Sequence, residues 1–436
     1  MDRRKFLLNT AVVSAGTLLA ACENNKAQVA AAEGAPSFDT WEGIRKQFRL
    51  APGRIHMTQM LLASHPKPVR DAIERHRDAL DANPVDYWEN NVEALDKAVR
   101  QQAAAYMGVS PEEIALTDST TMGLAMMYSG MKLKPGQEVL TTTHDHYSTE
   151  NALEFATARN GAVIKRVTLY EDSASASIDS MVGILKKAIT PKTKLVAVTF
   201  VHSVTGVKTP IREIAAMVKE ANGSRAAADR IYFCVDGVHG FGIENINVAD
   251  IGCDFFAAGT HKWIFGPRGT GVLFARKDAW DMIAPIIPAF ELDVYNAWMG
   301  VKQVREFGFR DLCTPGGFHS FEHRWALADA FGWQLTIGKA RIKERSHALS
   351  KQLKEGMKNI SHIKLLTPKD ESVSAGINCF MVDGMEPEEV VKRLLARNIT
   401  ASVTPYKTRY ARLTPSIVNT EEEVSTVLKE LEQVRG

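Results

Sequence analysis

The chain has 436 residues, 45% of them hydrophobic and 24% charged, an ordinary balance for a globular protein long enough to hold two domains. A formal net charge of +2 is too small to point to nucleic acid or an acidic surface as partner. No internal repeat or long low-complexity run suggests a fibrous or solenoid architecture.

In chain order, residues 1–22 read as an export signal rather than as part of the fold. Arg3 and Arg4 precede Lys5-Phe6-Leu7, and from Ala11 to Ala21 the chain is uncharged and mostly apolar. That stretch is too short to span a bilayer comfortably but fits a signal-peptide core. The paired arginines look like a twin-arginine signal, with a basic start to an ordinary secretory signal as the alternative. Leu19-Ala20-Ala21-Cys22 resembles a lipobox, which would make Cys22 a lipid anchor; a plain small-residue cleavage site competes with it. The expectation is a periplasmic protein, membrane-anchored if Cys22 is lipidated. Residues 23–37 are rich in Ala, Asn and Glu and read as a flexible tether.

From about Pro68 to Arg276 helices and strands alternate. Strands are expected at Glu113–Leu116, Glu138–Thr142, Lys194–Phe200, Ile231–Val235, Phe255–Ala258 and Gly271–Phe274, with a helix over Met122–Met131. Near-continuous apolar runs separated by helices indicate a parallel sheet covered on both faces. Beyond Phe321 the rhythm changes. A long helical region to about Asn359 is followed by strands Ile363–Leu366 and Ile377–Val382, then by helices Pro387–Arg397 and Thr420–Val434. Thr420 and Glu423 form a capping box. The expected division is a segment 38–67 that packs with a small α+β C-terminal domain 321–436, and a large domain 68–320. Cys234, Cys253, Cys313 and Cys379 show no metal-ligand spacing; Cys234 and Cys379 lie in apolar strand-like runs and read as small buried hydrophobes, and a disulfide in an exported protein stays open, with no pairing given by the sequence.

The chemistry concentrates in Ala258-Gly259-Thr260-His261-Lys262-Trp263, followed by Gly266-Pro267-Arg268-Gly269. Lys262 comes at a strand end, where a parallel sheet places its ligand site. Partial desolvation there lowers a lysine's pKa and favours imine formation. Asp236 in Val235-Asp236-Gly237-Val238-His239 ends the preceding strand and reaches the same edge. Its competing reading is a helix N-cap. Together the two suit pyridoxal phosphate, which needs a lysine to carry it as a Schiff base and an anion against its ring nitrogen.

Asp236-x-x-His239 followed by a strand and His261-Lys262-Trp263 resembles the class V aminotransferase family. The likeness is to its branch related to isopenicillin N epimerase and to the exported enzyme of pyoverdine maturation, and it spans roughly Arg54 to Thr420. The resemblance implies an α/β fold, the pyridoxal-phosphate-dependent fold type I, with a mostly parallel seven-stranded sheet, a smaller C-terminal domain and a homodimer. It also implies site residues. Ser119, Thr120 and Thr121 form a phosphate loop, which suits a helix N-terminus. His146, with His144 close by in the same loop, stacks on the ring; Ser203 and His239 flank the ring oxygen; and Arg412 clamps the substrate carboxylate, with Arg409 as rival. Where many members carry a phosphate-binding serine this chain has Gly259, and Thr260 is expected to compensate. Thr314 is the residue expected to reach the phosphate from a neighbouring subunit.

The loop Ile399–Pro405 holds Ser402 where desulfurases of the family carry a nucleophilic cysteine, which argues against persulfide chemistry. The expected function is aminotransferase-like chemistry on the α-amino group of an amino acid or amino-acid-containing peptide, with Lys262 as the general base. The alternatives are an epimerase, a side-chain-modifying or decarboxylating enzyme, and a non-catalytic protein of the same fold.

Overall fold

A computed structural model describes residues 37–302 and 305–436. The expectations for the signal, for Cys22 and for nearly all of the tether lie outside the described residues. Phe48–Gly436 form one compact unit, and residues 37–47 belong to a second. Within the second, Trp41–Arg45 form a short helix whose N-cap Thr40 accepts from the Gly43 N–H.

After β1 (Ile55–His56) come β2 (Ile114–Thr117), β3 (Glu138–Thr142), β4 (Val163–Val167), β5 (Thr193–Thr199), β6 (Tyr232–Asp236), β7 (Phe255–Gly259) and β8 (Gly271–Ala275). The last seven form one sheet in the order β2-β8-β7-β6-β5-β3-β4. β8 runs antiparallel to both of its neighbours, and the remaining pairs are parallel. All strands but β8 therefore end on one edge. The period of two is visible in the packing: Val196 and Val198 of β5 join one hydrophobic core, Leu195 and Ala197 the other. Burial on both faces is why these strands read as unbroken apolar runs. From β3 the chain moves outward to β4, and from β5 it moves the opposite way to β6. The crevice at the carboxyl ends of β3 and β5 is thus a topological switch point, where open α/β sheets bind ligands.

The expected long helical region consists of two helices, Phe321–Ile337 and Lys339–Lys358. Gly338 between them sits at φ +93, a left-handed value that breaks the helix. A second sheet has the order β12-β13-β10-β9, from β9 (Ile363–Leu365), β10 (Asn378–Val382), β12 (Ser402–Val403) and β13 (Ala411–Leu413). β11 (Ile399–Thr400) pairs in parallel with β1, which ties the early segment to the C-terminal part. The final helix, Glu421–Glu432, has the capping box of Thr420 and Glu423.

Candidate active site

Lys262 follows β7 by three residues, in a turn pinned by its own carbonyl. That oxygen accepts from Gln59 Nε2 at 2.8 Å and from the Phe265 N–H at 3.1 Å. The Lys262 Nζ lies 3.4 Å from His239 Nε2. Burial lowers the amine's pKa to about 8, opposed by the negative charge of Asp236 and assisted by the positive charge of Arg412. Asp236 ends β6 and is only 1% exposed. Its Oδ1 accepts from the Val238 N–H at 3.2 Å and its Oδ2 from the Thr149 hydroxyl at 3.2 Å. Burial raises this carboxyl to about 6, even though those hydrogen bonds and Lys262 oppose the rise.

The helix Thr120–Gly130 starts at the same edge. Ser119 caps it, its hydroxyl accepting from the Met122 N–H at 3.1 Å. The Thr120 hydroxyl accepts from the Gly259 N–H at 2.7 Å. A Cβ at position 259 would meet Thr120 Oγ1 at 2.9 Å and the His261 ring at 3.1 Å. The glycine is thus explained by Thr120, which occupies the space a serine would need. Thr260 does not compensate: its hydroxyl contacts the hydroxyl and carbonyl oxygens of Thr270, and it is absent from the cavity wall.

On the β3 side, the structure separates the two candidate histidines. His144 stacks on Tyr170, centroids 3.9 Å apart, and its Nε2 accepts from the Leu169 N–H. His146 caps the helix Tyr147–Asn160 and lines the cavity. Burial, then the charges of Lys262 and Arg412, lower its pKa. Between them Asp145, unnoticed in the sequence, is a buried staple. Its Oδ1 accepts from the Thr199 N–H at 2.8 Å, while Oδ2 accepts from the Thr142 N–H and from the hydroxyls of Thr141 and Thr142. It locks the ends of β3 and β5 together across the switch point.

Arg412 is 1% exposed on β13. It donates from Nε to Ser402 Oγ (3.2 Å), from Nη1 to the Ser203 carbonyl (3.0 Å) and from Nη2 to the Val403 carbonyl (2.9 Å). A guanidinium has five N–H groups, so one remains on each Nη. Arg409, the rival, is half exposed and paired with Glu388. A second residue missed in the sequence is Tyr406. Its hydroxyl is 2.8 Å from Ser203 Oγ, and its ring meets His146 edge-on at 5.9 Å. It lies in the loop that carries Pro405 into the cavity wall, but a lone tyrosine in a polar loop carries no sequence signal.

One cavity thus gathers Ser119, Thr120, Thr121, His146, Ser203, Asp236, His239, His261, Lys262 and Arg412. Thr314 lies apart from it; the nearest partner of its hydroxyl is the Leu116 N–H of the same chain, at 3.4 Å. The described cysteines are all buried, and none lines the cavity.

The residues fit pyridoxal phosphate. The strand order places the helix start after β2 and the Gly259 end of β7 on one side, Asp236 on the adjacent β6, and the lysine between them. His239 and Thr199 line the cavity, and the buried His239 Nδ1 and Thr199 Oγ1 have no hydrogen-bond partner among the described residues, which suits a polar ligand. Ser119, Thr120 and Thr121 would hold the phosphate, Asp236 the ring nitrogen and Lys262 the aldehyde carbon.

Comparison with known proteins bears on the family and the fold. The family profile for aminotransferase class V matches residues 63–405. Isopenicillin N epimerase of Streptomyces clavuligerus is 23% identical, over 91% of this chain and 98% of its own. A probable cysteine desulfurase of Xylella fastidiosa is 24% identical, over 92% and 97%. Among solved structures, the apo cysteine desulfurase of Thermococcus onnurineus has a TM-score of 0.76 at 23% identity, covering 90% of this chain and 97% of its own. A C-DES variant with glycine covalently linked to its PLP cofactor has a TM-score of 0.79 at 22% identity, covering 90% and 99%. At such identities the structural likeness establishes the fold, fold type I as expected, while the profile covers most of the chain. The chain belongs to the class V aminotransferase family.

Proposed function

We propose that this chain is a pyridoxal-phosphate-dependent enzyme acting at the α-carbon of an amino acid or an amino-acid-containing peptide, in the manner of an aminotransferase. One observation carries the reading: Lys262, its pKa lowered to about 8, shares a cavity with the buried carboxyl of Asp236 and the buried guanidinium of Arg412. Bound there, pyridoxal phosphate supplies a sink for the electron pair left at the substrate's α-carbon. The chain's residues do the rest. Arg412 offers its two remaining Nη hydrogens to the substrate carboxylate and so orients the α-carbon bonds. The Lys262 amine, largely desolvated, takes the α-proton. Asp236 holds negative charge at the ring nitrogen's position, and His146 covers the site from the β3 side.

Among the described residues, sulfur transfer through a protein thiol lacks its nucleophile, despite the desulfurase names among the relatives. Ser402 stands in the relevant loop and is engaged with Arg412. Cys379, behind Ser203, is buried with its pKa raised to about 12 by burial.

Epimerisation is the second reading, favoured by the relatives named isopenicillin N epimerase that span most of the chain. Incubation of the enzyme with L-amino acids in deuterated water separates the two. Keto-acid formation is the expected result, and α-deuteration with loss of chirality but no keto acid would select the epimerase. Neither product from any amino acid or peptide tried would contradict the proposal.

We also infer export by the twin-arginine route, from Arg3-Arg4 and the apolar stretch that follows. Replacing both arginines by lysine should hold the protein in the cytoplasm; undiminished export would overturn the inference.

A further inference from the structure

The hairpin that carries Arg412 grips one residue, Ser203, twice. β12 and β13 pair antiparallel, with Ser402 opposite Arg412 and Val403 opposite Ala411. The turn between them is braced from within by the buried Thr404. Its N–H donates to the Tyr410 carbonyl at 2.9 Å, and its Oγ1 accepts from the Tyr410 N–H at 2.9 Å. The turn so braced carries Tyr406 to the loops that follow β5 and β3. The Tyr406 hydroxyl lies 2.8 Å from Ser203 Oγ, after β5, and its ring meets the His146 ring, after β3, edge-on at 5.9 Å. From the same hairpin, Arg412 Nη1 donates to the Ser203 carbonyl at 3.0 Å. Ser203 is buried and lines the cavity that holds Lys262. Its backbone is thus fixed by Arg412 and its side chain by Tyr406.

The direction of the Tyr406–Ser203 bond follows from where the two protons can go. Each hydroxyl has one proton to give. Among the described residues, each is the other's only hydrogen-bond partner. A proton passed from Ser203 to Tyr406 would leave the phenol proton without an acceptor. The reverse satisfies both groups: Tyr406 donates to Ser203, and the Ser203 proton is free to face the cavity. Burial raises the phenol's pKa further above its ordinary value, so the group keeps its proton at neutral and mildly alkaline pH. A hydroxyl that accepts one hydrogen bond is polarised and donates a stronger one.

We propose that Tyr406 is a positioning residue, which orients and strengthens the Ser203 hydroxyl as a hydrogen-bond donor to the ring oxygen of pyridoxal phosphate. Tyr406 itself does not touch the cofactor; its whole effect passes through Ser203. The proposal rests on the cofactor reading and adds to it a residue from the hairpin that also supplies the substrate clamp.

The test is a pH titration of the absorbance band of protein purified with excess pyridoxal phosphate. The band follows a proton shared between the Lys262 nitrogen and the ring oxygen. A donor to that oxygen favours its anionic form, so the proton leaves at lower pH. Tyr406→Phe weakens the donor and should raise the midpoint by about 0.3 pH unit or more. Ser203→Ala removes the donor and should raise it further. Tyr406→Phe should then add nothing in the Ser203→Ala background, a coupling that loosened packing would not produce. Phenylalanine keeps the ring against His146, and thermal unfolding checks that each variant is folded. A midpoint that Tyr406→Phe leaves in place or lowers, or raises equally with and without the Ser203 hydroxyl, overturns the proposal while the cofactor reading stands. A protein with no such band overturns both.

Discussion

Lys262 shows how much one residue's environment decides. An ordinary lysine is almost wholly protonated at neutral pH, whereas this one has its pKa lowered to about 8, chiefly by burial. The sign follows directly. Between about pH 8 and the unfolded value of 10.5, the unfolded chain holds a proton that the folded chain has released, so this group's contribution to stability rises with pH in that window. Only the neutral amine can attack a carbonyl, so cofactor attachment to the apo-protein should accelerate through about pH 8 rather than near 10.5. Asp236 raises the amine's pKa and Arg412 lowers it. Asp236→Asn should therefore shift the midpoint downward and Arg412→Gln upward. Stopped-flow absorbance across pH measures all three; a midpoint that neither substitution moves would contradict the electrostatic account. Lys262 and Asp236 stood out in the sequence because each comes at the end of an apolar strand and suits a distinct task, whereas Arg412 stood out only through the family resemblance. The bond between Thr120 and Gly259 was not legible. It joins residues 139 positions apart, and only the folded sheet brings β2 and β7 within reach of each other.

At the scale of elements, Asp145 is the fastening that keeps the switch point in shape. Asp145→Ala strips partners from the buried N–H groups of Thr142 and Thr199 and from two threonine hydroxyls. Each unsatisfied buried group costs about 1–3 kcal/mol, so the variant should lose about 3 kcal/mol or more of stability in urea unfolding. Asp145→Asn, which keeps an acceptor, should lose less. Equal stability of wild type and Asp145→Ala would show that the staple is dispensable. The strands that position the site were readable because burial on both faces demands continuous β-branched and aromatic runs. β4 escaped for the converse reason. It lies at the sheet edge and carries Lys165 and Arg166 in its middle, the charged pattern by which edge strands avoid further pairing. β13 escaped because three residues are too few for a period to show, although the family resemblance still located its Arg412. The helical region beyond Phe321 was legible as helical but not as two helices, because a single glycine in such a stretch does not reveal in sequence whether it bends the chain or breaks it.

At the scale of the whole molecule, the sheet gathers at one edge residues drawn from Ser119 to Lys262, and the second sheet adds Arg412 from near the other end of the chain. The long connections follow from the crossovers that parallel strands require. They also explain why the site's residues are scattered through the sequence in short, widely separated motifs. The central claim is that this assembly carries pyridoxal phosphate on Lys262, and one measurement tests it most directly. Protein purified with excess pyridoxal phosphate is reduced with borohydride, digested, and mapped by mass spectrometry. The expected result is a visible or near-ultraviolet absorbance band that borohydride removes, with the cofactor mass fixed on the peptide containing Lys262 and no such label in Lys262→Ala. A colourless protein, or a label that Lys262→Ala leaves unchanged, would contradict it.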